Sequence, residues 1–191
     1  MRLPIILFIS ALLILCITAL FEVNFLNYAK PVPYSDYQKI TFTDFKGLKK
    51  PYQALYGVKE FAFIKTSREI KKLSNNRLTI TTYFHPSRSY VFNNYIRDKN
   101  LLNHELYHLH IAEYCSRLLR KYVFEHRGAL TQRLLSELSE KYAEMENNLQ
   151  QQYDEESYHS YVLSMQKKWE SLIDENLKSL EKFQDPIVTL Q

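Results

Sequence analysis

The chain has 191 residues, enough for one domain with a sizeable core, and only three glycines and six prolines, too few for a low-complexity chain. Its net charge of +4 is modest. Basic runs at 46–50, 65–72 and 117–121 lack aromatic interleaving, which argues against a nucleic-acid partner and reads as solvated faces, with weak attraction to anionic lipid as the alternative. Two cysteines, Cys16 and Cys115, leave no room for a disulfide scaffold, and Cys115 reads as a small buried hydrophobe.

After Met1-Arg2 the chain is almost wholly apolar to residue 21, with no polar face. Segment 1–21 therefore reads as a signal peptide or a retained N-terminal membrane anchor, and the protein as exported to the cell envelope. Ile17 makes Ala19 only a fair cleavage position. Residues 22–38, with Pro31 and Pro33, read as an extended tether, 39–183 as the folded domain and 184–191 as a tail.

Strand signals come first in the domain. Ile40-Thr41-Phe42-Thr43 alternates and runs into the turn Asp44-Phe45-Lys46-Gly47. Residues 54–66 are rich in aromatic and branched side chains, and 66–76 are polar, with Ile70 and Leu73 spaced for a short helix. The strongest strand is Leu78-Thr79-Ile80-Thr81-Thr82-Tyr83-Phe84, ended by His85-Pro86-Ser87, and 89–95 suits a short edge strand.

From Lys99 the period becomes helical, with Asp98 or Asn100 as the cap and Gly128 as the stop. Two further helices are expected at 129–152 and 161–183, separated by a polar junction at 153–160. Strands first and helices after them make an α+β domain: a small antiparallel sheet packed on a long helix. A sheet edge beside that helix suits an extended peptide added as a strand.

That long helix carries His104-Glu105-Leu106-Tyr107-His108. Residues four apart share a helix face, so both imidazoles reach one metal, and Glu105 projects beside them toward a water on it. Two nitrogen ligands and a carboxylate base form the zinc-peptidase arrangement, and Zn2+ is the expected cofactor. A third protein ligand is needed. His110 and Glu113 point to the opposite side of the helix, while His126 and Cys115 lie too far along it. His85 at a strand end and His159 in the polar junction remain, with Asp154 able either to orient an imidazole or to coordinate.

Several segments, in order, resemble the bacterial family catalogued as domain of unknown function 922, described as secreted and zinc-dependent-protease-like. They are Asp44-Phe45-Lys46-Gly47, Ser89-Tyr90-Val91, and Leu102-Asn103-His104-Glu105 through His108 with Ile111-Ala112-Glu113 and Arg117. Tyr153-Asp154 with Ser157-Tyr158-His159, then Gln166 and Trp169, complete the set. The likeness spans about residues 40 to 180. It implies a zincin-like fold, His104, His108 and His159 as metal ligands, and Glu105 as catalytic base. Leu106-Tyr107 stands where the family has Gln-Gly, and Ser160 where it has Gly; Tyr107 brings bulk that bears on the substrate path.

The leading expectation is a zinc metallopeptidase acting on a peptide or protein substrate, held to the membrane by its N-terminal segment. The alternative is a membrane-anchored binding module with a structural or vestigial zinc site, its long helices docking a partner. A closed four-ligand zinc with Asp154 among the ligands favours the second.

Overall fold

The computed structural model describes residues 3–22, 28–48, 61–92 and 95–190. The chain is α+β, a small antiparallel sheet against three long helices. The strands are β1 (Val32–Pro33), β2 (Ala62–Phe63), β3 (Thr66–Ser74), β4 (Arg77–Phe84), β5 (Tyr90–Val91) and β6 (Ile187–Thr189). The helices are α1 (Leu3–Glu22), α2 (Lys99–Glu125), α3 (Gln132–Ser157) and α4 (Leu163–Ser179).

Strand β4 organises the sheet because its period-two pattern buries Leu78, Ile80, Thr82 and Phe84 on one face. It pairs with β3 through a hairpin on one side, and on the other with β1 at one end and β6 at the opposite end. The two segments that the sequence sets outside the domain, 22–38 and 184–191, thus each contribute a strand to it. Residues 66–76 are a strand and turn, not a short helix. The turn at Asn75-Asn76 folds the segment back on β4, and the ladder of antiparallel pairing from Thr66 to Ser74 outweighs the spacing of two apolar residues. The expected strand at 40–43 is instead a 3-10 turn (Phe42–Asp44), closed by a capping box between Thr41 and Asp44. Of the strand expected at 54–66, the part before Phe61 lies outside the described residues; Ala62–Phe63 form β2, which pairs with β5.

Gly47 stands where only glycine fits. Its N–H donates to Ser89 O at 2.7 Å, and a Cβ there would sit 2.7 Å from that oxygen. The Asp-Phe-x-Gly and Ser-Tyr-Val segments, 42 residues apart in sequence, are therefore one contact in space.

Helix α2 is the spine, packed on the sheet, on α3 and on α4. Leu101 and Leu109 join Phe42, Phe45 and Phe84 at one end of it. Leu119 and Val123 meet Leu78, Ile80 and Val188 at the other. Ile111 and Tyr107 pack on Tyr153, Trp169 and Ile173 from α3 and α4. Cys115 is buried, and burial pushes its thiol up to about 12. Helix α1 leaves its apolar side chains exposed. Among the described residues no helix is long and apolar enough to cross a membrane.

Candidate metal centre

Asp98 caps α2, its carboxylate accepting from Asn100 N at 2.9 Å and Leu101 N at 3.0 Å. One turn further on, His104 and His108 stand side by side with their Nε2 atoms 3.3 Å apart. Helix α3 runs five residues beyond its expected end, so Asp154 sits in its last turn instead of in a loop. Its Oδ1 lies 3.1 Å from His104 Nε2, 2.9 Å from His108 Nε2 and 3.6 Å from His159 Nδ1.

These spacings suit a metal. Four ligands held about 2.0–2.1 Å from a tetrahedral ion sit roughly 3.3 Å from one another. His104, Asp154 and His159 form a group able to hold a metal ion, their ligand atoms within 4.8 Å of one another. His108 Nε2 adjoins that group through His104 and Asp154. Imidazole nitrogens with one carboxylate oxygen are a donor set suited to zinc and to other divalent transition metals. Glu105, 4% exposed, lines the same cavity of about 50 Å³ as the three histidines and Asp154, under the edge formed by Phe61, Ala62, Phe63 and Ile64.

The supports of these rings come from α3. His108 Nδ1 is bonded to Gln150 Oε1, and Gln150 Nε2 donates back to His108 O at 2.9 Å. That anchors the ring through one nitrogen and turns the other to the cluster. His104 Nδ1 is buried with no hydrogen-bond partner among the described residues, so packing orients this ring: Tyr153 stacks on it at 4.6 Å. Trp169 of α4 meets Tyr153 in turn, which explains what the Tyr-Asp and Gln-x-x-Trp segments do together. Gln150 was not legible as a support beyond its place four residues before Asp154 on the same helix; Tyr153 stood beside Asp154 in a segment already singled out, without its stacking role.

His159 reaches the cluster from an unusual turn. Tyr158, His159 and Ser160 all have positive φ (49°, 50° and 75°), and none is glycine. Left-handed backbone costs an L-residue about 1–2 kcal/mol. The bonds His159 N to Asp154 O (3.0 Å) and Val162 N to Ser157 O (2.8 Å) hold the turn. Ser160, at 75°, sits in backbone that glycine adopts at no steric cost.

Burial holds His104 down at about 4 despite its bond to Asp154. His108 is also opposed by burial, yet its hydrogen bond to Asp154, that carboxylate's charge and Glu105 raise it to about 9. Burial works to raise Asp154 too, but its two histidine partners hold its carboxyl well below the usual range. In the metal-free chain His108 thus carries a proton that it donates to the Asp154 carboxylate, and that proton must leave when His108 binds a cation.

The other candidates lie elsewhere. His85 Nε2 pairs with Ser67 Oγ at 2.6 Å, and His126 stacks on Tyr122 at the end of α2. His110 Nδ1 meets Tyr34 Oη at 2.9 Å. Tyr107 does not enter the metal cavity: its hydroxyl donates to Asp174 Oδ2 at 2.9 Å on α4. The run 117–121 is not a solvated face throughout. Arg120 is 2% exposed and donates to Glu113, to Ile80 O and to Phe183 O, while Arg117 Nε donates to the same Glu113. Thr82 Oγ1 lies 2.8 Å from Glu113 Oε2 as well. A cavity of about 700 Å³ opens beside this cluster, but it holds none of the converging nitrogens. The converging nitrogens line the smaller cavity.

Protein-family models, curated proteins and solved structures were compared with the chain, and none matches. The functional reading therefore rests on the geometry of this cluster.

Proposed function

We propose that this protein is a zinc-dependent hydrolase of the cell envelope that cleaves peptide bonds. The observation that carries the reading is Glu105, a buried carboxylate in the same cavity as the histidine cluster and one residue from His104. A carboxylate so placed can serve as base toward a metal-bound water. His104, His108 and His159 would hold the ion. When bound, zinc supplies a Lewis acid that acidifies water and polarises a carbonyl. Glu105 takes the proton of the attacking water and returns it to the leaving amine. Gln150 and Tyr153 fix the imidazoles so that binding costs little reorganisation. The exposed apolar helix α1 supports export, as a signal or a retained anchor, because so large an apolar surface is not left in water.

One observation favours the second reading, a binding module with a structural zinc. Asp154 Oδ1 stands at ligand-like distance from His104 and His108, so it completes a set of four that leaves water no position. In the hydrolase, Asp154 lets go or serves as hydrogen-bond partner to the ligands.

The test is Glu105→Gln in the full chain, with zinc content and hydrolysis of a mixed peptide library measured together. The hydrolase keeps its metal and loses cleavage by at least a hundredfold. Undiminished cleavage would falsify the mechanism, and a wild type that binds zinc but cleaves nothing supports the closed site.

A further inference from the structure

A second cavity adjoins the metal cavity, with Phe61 and Leu101 lining both. It measures about 200 Å³, and its other walls include Tyr95, Tyr161 and Leu163. Phe61 stacks on Tyr95 at 4.2 Å and meets the Tyr161 ring edge-on at 5.8 Å, so three aromatic rings form one continuous wall. Asp98 also touches the cavity, but its carboxylate is engaged at the α2 N-terminus by Asn100 and Leu101.

The left-handed turn links the two cavities. Tyr158, His159 and Ser160 reverse the chain within three residues, and Tyr161 N bonds back to Tyr158 O at 3.2 Å. One turn thereby aims His159 at the metal cluster and, two residues later, Tyr161 at the neighbouring cavity. Tyr161 (58% exposed) and Leu163 (42%) are large apolar side chains left open to solvent at that point. Exposed apolar surface of this kind next to a reactive centre marks a binding surface.

We propose that this cavity is the substrate's specificity subsite and takes a bulky apolar side chain, aromatic by preference, from the residue next to the scissile bond. The inference rests on the hydrolase reading. It deepens that reading by naming the substrate class: peptides with an aromatic or large aliphatic residue flanking the bond. Tyr161 and Leu163 determine the preference, and neither belongs to the metal cluster.

The test uses the full chain in detergent, loaded with zinc, and three probes: the N-acetyl hydroxamates of phenylalanine, alanine and lysine. The hydroxamate seats each probe on the metal, so differences report the side chain. The phenylalanine probe is expected to bind at least tenfold tighter than the alanine probe. Tyr161→Ala and Leu163→Ala should each shrink that ratio severalfold while alanine-probe affinity and zinc content stay unchanged. Equal binding of the phenylalanine and alanine probes, tighter binding of lysine, or a ratio that survives both substitutions overturns the subsite and leaves the hydrolase standing. No binding of any probe to zinc-loaded protein overturns the hydrolase reading and this inference with it.

Discussion

The two sides of α2 both bury charge, and they do so in opposite ways. On one, Glu113 is enclosed by Arg117, Arg120 and Thr82, and the guanidiniums go on to backbone carbonyls of β4, α4 and the chain after it. Donors meet acceptors there, and the cluster ties the sheet to α4. On the other, imidazole nitrogens and a carboxylate oxygen turn toward a common point, with two spacings of hydrogen-bond length and two wider ones, a set that also suits a shared cation. Burial of polar groups does not by itself mark a site. A surplus of acceptors does.

The largest expected effect breaks the self-sufficient side. Glu113→Ala leaves two buried guanidiniums without their carboxylate and should cost about 3–5 kcal/mol in denaturant unfolding. Because the metal cluster takes no ligand from that side, zinc stoichiometry of the folded fraction should not change. Loss of zinc from well-folded Glu113→Ala protein would show that the two sides are one unit.

Acid should weaken both sides next. His110 is held at about 4 by burial, and His104 likewise, so both fold as neutral rings. The unfolded chain takes up protons from about pH 6.5, so their contribution is complete above that and falls away toward pH 4. It amounts to something on the order of 3 kcal/mol each. His108 has the opposite sign: its contribution is complete below about 6.5 and is lost as pH rises through about 9. The metal-free chain should therefore be most stable near pH 6.5 in a pH series of urea melts. A stability still climbing between pH 7 and 9 would contradict the protonated His108 at the metal cluster.

Smaller effects concern the turns that position each side. Gly47→Ala drives a Cβ into Ser89 O and should destabilise by about 1–3 kcal/mol, read as a lower urea midpoint. Ser160→Gly should act the other way, relieving left-handed strain by up to about 1 kcal/mol, and should tighten rather than weaken zinc binding. A destabilised Ser160→Gly protein would mean that the turn is not strained.

What could be read beforehand follows from range. The cap at Asp98, the helix after it and the alternation of β4 are local patterns, so they were visible in the residues themselves. Strands β1 and β6 are two and three residues long, and nothing but distant β4 makes them strands. The same limit hid the partners of Arg120, which looked like part of a solvated basic run because Glu113, Ile80 and Phe183 meet it only in the fold. At the cluster, the spacing of His104 and His108 was enough to read a metal face. The place of Asp154 depended on α3 continuing to Ser157, where a polar junction gave only weak helical signals.

The central claim is that one zinc ion binds where α2, α3 and the left-handed turn meet. Zinc titration of the full chain by calorimetry, wild type beside His159→Ala, tests it most directly. One zinc per wild-type chain, and affinity weakened about a hundredfold or more by His159→Ala, is the result expected for loss of a ligand. Equal affinity in the two proteins, or no zinc bound by the wild type, would contradict it.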